Sequence, residues 1–320
     1  MKVYTTGNFN SSSMFLESCT KNIYLVRSPT SSYIKSSIAA CILNVIFAIV
    51  GTFLNTLVLF AFLKSKNMRR KNSYFCILVL STTDLIVVTT VPAMSLVRSM
   101  SEILGVPRCF YRISLSRINK MMPLLSATSL ITMNIERYLA IVFPFYHHTA
   151  VTKRKIKIIF IIIGSILSTC AAINFACHSI GRLVYSVGAF IICSTTLFQY
   201  VSIFIIARKS LLRRVTNVNN EETNISLRSI LFNLKIARTY FFIVLLCFIC
   251  YFPIATINGI WRRLFVNEEK RNFLFHWNLF VTPLISMNAT FDCLIFFWGN
   301  RELRKQGWKL VRNCFRRTSN

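Results

Sequence analysis

Asn134-Ile135-Glu136-Arg137-Tyr138-Leu139-Ala140-Ile141-Val142 decides how this chain is read. The stretch closes an apolar, helix-like run with an acid, an arginine and an aromatic in direct succession. An arginine at the end of a membrane span, beside its own carboxylate, is costly to place and rarely accidental. Six further apolar runs flank this one, and each is long enough as helix to cross roughly 30 Å of hydrocarbon. The seven runs cover about 38–63, 74–97, 111–139, 157–177, 185–207, 239–261 and 273–298. They are continuously apolar and do not alternate, which indicates helices and not barrel strands. The third is the least conventional, because Arg112, Arg117, Asn119 and Lys120 lie near its start.

Composition agrees with this topology. Hydrophobic residues make up 54% of the 320 and charged residues only 15%, too few to cover a soluble domain of this length. The net charge of +28 is spread over short segments between the runs. With the N-terminus outside, the cytoplasmic segments carry about twice the Lys and Arg of the extracellular ones, which sets the orientation. The expected organisation is an extracellular segment 1–37, a transmembrane domain 38–298 and a cytoplasmic tail 299–320. Attraction to anionic inner-leaflet lipid accounts for most of the basic charge. A nucleic-acid partner is disfavoured, since no single basic face collects it.

Most of the eleven cysteines fall inside the runs, where a free thiol acts as a small hydrophobe. Cys109 and Cys177 lie just outside the third and fourth runs on the oxidising side, and a bridge between them is chemically reasonable. Cys19 has no obvious partner. Asn10-Ser11-Ser12 is a glycosylation sequon in the outer segment. Cys314, in the basic tail, is a juxtamembrane palmitoylation candidate.

Six short motifs then fall in order along the runs. They are Gly51-Thr52-Phe53-Leu54-Asn55, Leu80-Ser81-Thr82-Thr83-Asp84-Leu85, Glu136-Arg137-Tyr138, Cys250-Tyr251-Phe252-Pro253, Asp292-Cys293-Leu294-Ile295-Phe296 and Asn300-Arg301-Glu302-Leu303-Arg304-Lys305. In this order the chain resembles a rhodopsin-like (class A) G protein-coupled receptor from residue 38 to about 314. The motifs are similar to the family's G-x-x-x-N, L-x-x-x-D-L, D/E-R-Y, C-W-x-P and D/N-P-x-x-Y, followed by the start of its amphipathic eighth helix.

The resemblance implies a receptor that binds an extracellular ligand at the plasma membrane and activates heterotrimeric G proteins, with no enzymatic activity. It assigns Arg137 a switch role: held by Glu136 at rest, released when helix six swings out. Tyr138, Tyr200, Tyr251, Asp292 and Phe296 are expected in the same machinery, and Pro253 removes a backbone hydrogen bond where helix six would hinge. Asp84 is a lone carboxylate in mid-membrane, costly unless paired or hydrated. Asn55, Ser126, Asn288 and Asp292 would give it polar company. In the family these positions line a pocket that can hold sodium, and two carboxylates there would share a proton or recruit a cation. The bland alternative is a hydrated network that only sets helix packing.

Departures from the family pattern are local. Tyr251 replaces a tryptophan, Cys293 a proline, Phe296 a tyrosine and Ile192 a proline. The start of helix six, 229–238, contains no acid for Arg137 to lock onto, which predicts a weak inactive-state clamp. Asn119 stands where amine receptors place an aspartate, so a monoamine ligand is disfavoured. Asn119, Lys120, Tyr251 and Asn258 are the ligand-binding candidates. Arg117, Lys120, Arg262 and Arg263 would make the outer vestibule positive and favour an anionic ligand, unless they turn to headgroups or to Glu102, Glu268 and Glu269. A secondary transporter would show internal repeats, which are absent here. A non-signalling membrane protein is the other alternative. His147-His148 lacks enough nearby acids for a metal site.

Overall fold

The computed structural model describes residues 15–20, 23–176 and 268–318, together with scattered helical positions between 187 and 208 and between 242 and 250. The expected sites Asn10, Cys177, Tyr200, Tyr251, Pro253 and Asn258 lie outside the described residues, as do most of the fifth and sixth runs. Within them the chain is almost wholly helical. Long helices α1 (Ser31–Lys64), α3 (Asn72–Ile103), α4 (Cys109–Val142) and α6 (Lys153–Ala176) are separated by the short α2 (Lys66–Arg70) and α5 (Pro144–Ala150). Helices α7 (Glu268–Gly299) and α8 (Arg301–Thr318) close the chain. Segments Ser31–Lys64, Asn72–Ile103 and Asn272–Gly299 are long and apolar enough to cross a membrane.

Each helix overruns its apolar run by a turn or more, because backbone hydrogen bonding continues until a cap stops it. Thr30 caps α1 by accepting from the Tyr33 amide at 3.3 Å. Ser65 caps α2 through the Met68 amide at 3.4 Å. Asn300 breaks α7 from α8 and accepts from the amides of Glu302 and Leu303 at 3.1 and 3.2 Å. Its carboxamide oxygen also takes the Tyr74 hydroxyl of α3 at 3.0 Å.

Helix α1 is inside out. It buries Ser37, Ala40, Asn44, Gly51 and Asn55, while Ile38, Ile42, Ile46, Ile49, Phe53 and Phe60 face outward. That inversion suits a helix with hydrocarbon on its outer side and close-packed small or polar groups within. It sits against α3 and α7, and α3 lies in turn against α4.

Two expectations are corrected at the hairpin end of this bundle. Strands β1 (Phe15–Thr20) and β2 (Ile23–Ser28) pair antiparallel, adding a small sheet to a chain expected to be all helical. Cys109, at the first residue of α4, is bonded to Cys19 of β1 and not to Cys177. The earlier pairing rested on a shared side of the membrane, which the hairpin satisfies equally well, and one thiol cannot serve two bridges. Removing such a bridge costs about 2–4 kcal/mol. Substituting Cys19→Ser should therefore leave Cys109 open to a membrane-impermeant maleimide, whereas Cys177→Ser should leave it blocked. Mass spectrometry of the labelled peptides distinguishes the two.

Candidate functional site

Glycine at position 51 makes the inner polar cluster possible. A Cβ there would meet Thr290 Oγ1 at 2.6 Å and Val88 Cγ1 at 2.8 Å, so only hydrogen lets α1, α3 and α7 close to this distance. One turn later Asn55 uses the closeness. Its Nδ2 donates to the Gly51 carbonyl at 2.9 Å and to the Ala289 carbonyl at 3.3 Å. Its Oδ1 accepts from the Cys293 thiol at 2.8 Å, and that sulfur lies 3.8 Å from Ser81 Oγ.

The two carboxylates sit beside this junction. Ser126 of α4 donates to Asp84 Oδ1 at 2.5 Å, and Asn288 Nδ2 donates to Asp292 Oδ2 at 3.1 Å. Asp84 and Asp292 are fully buried and close enough to act on each other electrostatically. Asp84 Oδ2, Asp292 Oδ1 and Asn288 Oδ1 are buried without a hydrogen-bond partner among the described residues. Of the five expected members, Ser126 is thus hydrogen-bonded to Asp84 and Asn288 to Asp292, while Asn55 is hydrogen-bonded to the Gly51 and Ala289 carbonyls and the Cys293 thiol.

Sequence reasoning missed two members, Ser81 and Cys293. Ser81 is one helical turn before Asp84, a spacing that puts both on one face. Cys293 was noted only as a missing proline. It restores the backbone N–H that proline would lack, so α7 runs unbroken past it, and its thiol supplies a donor to Asn55.

At the opposite end from the hairpin, Glu136 is buried and held by two partners outside its own triplet. Ser73 of α3 donates to its Oε1 at 3.2 Å, and His147 Nε2 of α5 lies 2.9 Å from the same oxygen. His147 thus belongs to this acid, and the described residues contain no metal-binding group of His, Cys, Asp and Glu. Arg137 occupies α4 one residue on, but its side chain lies outside the described residues, so its expected pairing with Glu136 stays open. Tyr138 stacks edge-on against Phe143, with ring centroids 6.4 Å apart. Phe296 is buried among α3 and α7 side chains.

The ligand candidates scatter more. Asn119 is half-buried in α4, with its Oδ1 unpartnered among the described residues. Lys120 in α4 and Cys314 in α8 are placed on their helices, with side chains outside the described residues.

This arrangement agrees with a comparison of families. Residues 54–180 match the sequence model described as 7 transmembrane receptor (rhodopsin family). Over that stretch the chain is similar to rhodopsin-family receptors. The match contains Asn55, Ser81, Asp84, Ser126 and the Glu136-Arg137-Tyr138 triplet, whereas Gly51, Asn288, Asp292 and Cys293 lie outside it.

The Gly51 contact has a measurable consequence. Gly51→Ala forces Thr290 or Val88 aside and should destabilise the purified receptor by about 1–3 kcal/mol. Gly164→Ala, where a Cβ would meet nothing within 4 Å, should be neutral or stabilise by up to about 1 kcal/mol through helix propensity. Thermal unfolding of both variants in detergent reads the difference.

Proposed function

We propose that this receptor binds an extracellular ligand and activates heterotrimeric G proteins from the plasma membrane. In this reading it is a seven-helix bundle with α8 as an amphipathic eighth helix, its N-terminus and hairpin outside and its tail in the cytoplasm. The observation that carries the reading is the buried Asp84–Ser126 and Asn288–Asp292 centre, joined through α3 and α4 to Glu136 beside Arg137. Buried carboxylates are expensive, and a bundle that served only as an anchor would have no use for two of them. The ligand is not a typical monoamine, since Asn119 supplies no counter-ion.

Movement of the helix carrying Pro253 would free Arg137 to meet the G protein. Glu136 is restrained by Ser73 and His147, so release of the arginine need not disturb the acid. The absence of an acid in 229–238 removes a second restraint and gives basal signalling. Nucleotide exchange on purified heterotrimers should exceed the receptor-free rate, and Arg137→Ala should abolish the excess. Equal exchange with receptor, variant or neither would overturn the proposal.

The same centre fits a sodium ion as an allosteric partner. Its unpartnered atoms, Asp84 Oδ2, Asp292 Oδ1 and Asn288 Oδ1, are all hard oxygen donors, the set a hard cation requires. A bound cation would supply the positive charge that lets both acids stay ionised. Ser126 holds Asp84 by one oxygen and Asn288 holds Asp292 by one, which leaves the second oxygen of each for the ion. The melting temperature should then be higher in NaCl than in KCl of equal strength. Asp84→Asn should remove that difference; a sodium effect that survives the substitution would exclude this site.

A further inference from the structure

A second buried charged cluster lies at the hairpin end of the bundle, and its charges do not balance. Glu102 of α3 is fully buried and accepts from the Tyr33 hydroxyl of α1 at 2.8 Å on Oε2. Its other oxygen, Oε1, has no hydrogen-bond partner and lies 4.0 Å from Arg112 Nη1, the outer limit of an ion pair. Arg112 is held elsewhere. Its Nε donates to the Tyr24 carbonyl of β2 at 3.0 Å, and its guanidinium carbon sits 5.5 Å from the Phe275 ring centre.

Arg98, one turn before Glu102, is only 2% exposed. Its Nη2 donates to Ser99 Oγ at 3.2 Å, a neutral neighbour, and its Nε is buried with no acceptor. Arg98 and Arg112 are near enough to repel each other, and both act on Tyr33 together with Glu102. Among the described side chains two guanidiniums therefore share one carboxylate, and neither hydrogen-bonds to it. A clamp that only fastened the hairpin to the helices would close its charges, because an uncompensated buried cation is strongly unfavourable. Among the described side chains the cluster is one negative charge short, and guanidinium groups take planar, two-oxygen anions best.

We infer that Arg98 and Arg112 form an anion subsite that receives a carboxylate group of the receptor's ligand. The inference rests on the receptor reading with the hairpin end outside, and it adds a ligand class to it. Arg98 is the primary contact, since its Nε lacks an acceptor. Arg112 contributes charge while anchoring β2, and Glu102 limits the subsite to a single added anion.

The test uses the purified full chain in nanodiscs, with 4-phenylbutyrate as probe and 4-phenylbutyramide as its uncharged match. The carboxylate should raise the melting temperature saturably, and the amide should not. Arg98→Gln should move half-saturation at least tenfold higher, and Glu102→Gln should move it lower by removing the competing acid. Equal responses to acid and amide, no response to either, or an unchanged half-saturation in Arg98→Gln would overturn the inference. So would replacement of the whole effect by chloride, measured as NaCl against sodium gluconate, since the subsite would then be a halide site.

Should Arg98→Gln fail to fold, the wild type still decides. The carboxylate should raise its melting temperature saturably where the amide does not, and equal shifts would overturn the inference. Nucleotide exchange measured through Arg137 is independent of these binding readouts. Loss of the subsite with exchange intact removes the ligand class and leaves the receptor reading standing.

Discussion

Ionised and polar side chains in this molecule have nowhere to go but inward. A helix surrounded by hydrocarbon cannot hydrate Asp84 or Asp292 from outside, and leaving either against lipid would cost several kcal/mol. The bundle therefore has to bring partners to them: Ser126 from α4 and Asn288 from within α7. That need fixes which face of each helix points in. It also explains why α1 hides Asn44 and Asn55 and shows isoleucine and phenylalanine to its surroundings. Gly51 follows from the same constraint, because partners reach across only if the backbones approach closely.

This constraint is also why the inner cluster was legible before any coordinates were known. A lone aspartate in an apolar run must find polar company, and the family resemblance named Asn55, Ser126, Asn288 and Asp292 for it. Ser126 is hydrogen-bonded to Asp84 and Asn288 to Asp292, whereas Asn55 turns to the Gly51 and Ala289 carbonyls and the Cys293 thiol. The argument failed where chemistry leaves several equivalent choices. Any oxidised thiol on the correct side could pair with Cys109, and sequence cannot rank a loop cysteine against one in a hairpin that contains no strong turn signal. Residues 15–28 read only as part of the extracellular segment because six-residue strands carry little periodic signal. The sequence counted Glu136 among the few acids near His147 without showing that the two would pair across α4 and α5. The reading that missed Cys293 asked what its position had lost instead of what a thiol could donate.

The two buried charged clusters differ in what they leave open. The inner one has acids in excess and unpartnered oxygens, the outer one arginines in excess and an unpartnered N–H. Burial removes the water that would otherwise compensate either excess, so each centre is incomplete as a protein-only structure. The occupants proposed for them differ in sign accordingly, a cation for the first and an anion for the second. Both clusters draw on α3, which supplies Ser81 and Asp84 to one and Arg98 and Glu102 to the other. Between them Asn44 donates to Ser95 at 3.3 Å and to Thr282 at 3.0 Å, which places a third polar junction of α1, α3 and α7 at an intermediate level.

Counting these junctions shows which helices can move. Helix α3 is tied to α1 through Tyr33–Glu102 and Asn44–Ser95, to α7 through Ser95–Thr282 and Ser81–Cys293, and through Tyr74 to Asn300 at the break between α7 and α8. It is tied to α4 by Asp84–Ser126, Thr83–Ser129 and Ser73–Glu136. At about 0.5–1.5 kcal/mol net for each bond, and more where a buried charge would be stranded, parting α3 from either neighbour costs several kcal/mol. A ligand fragment with one carboxylate contact cannot supply that on its own. Among the described residues, helices α1, α3, α4 and α7 thus act as a frame whose members part only together with several buried hydrogen bonds.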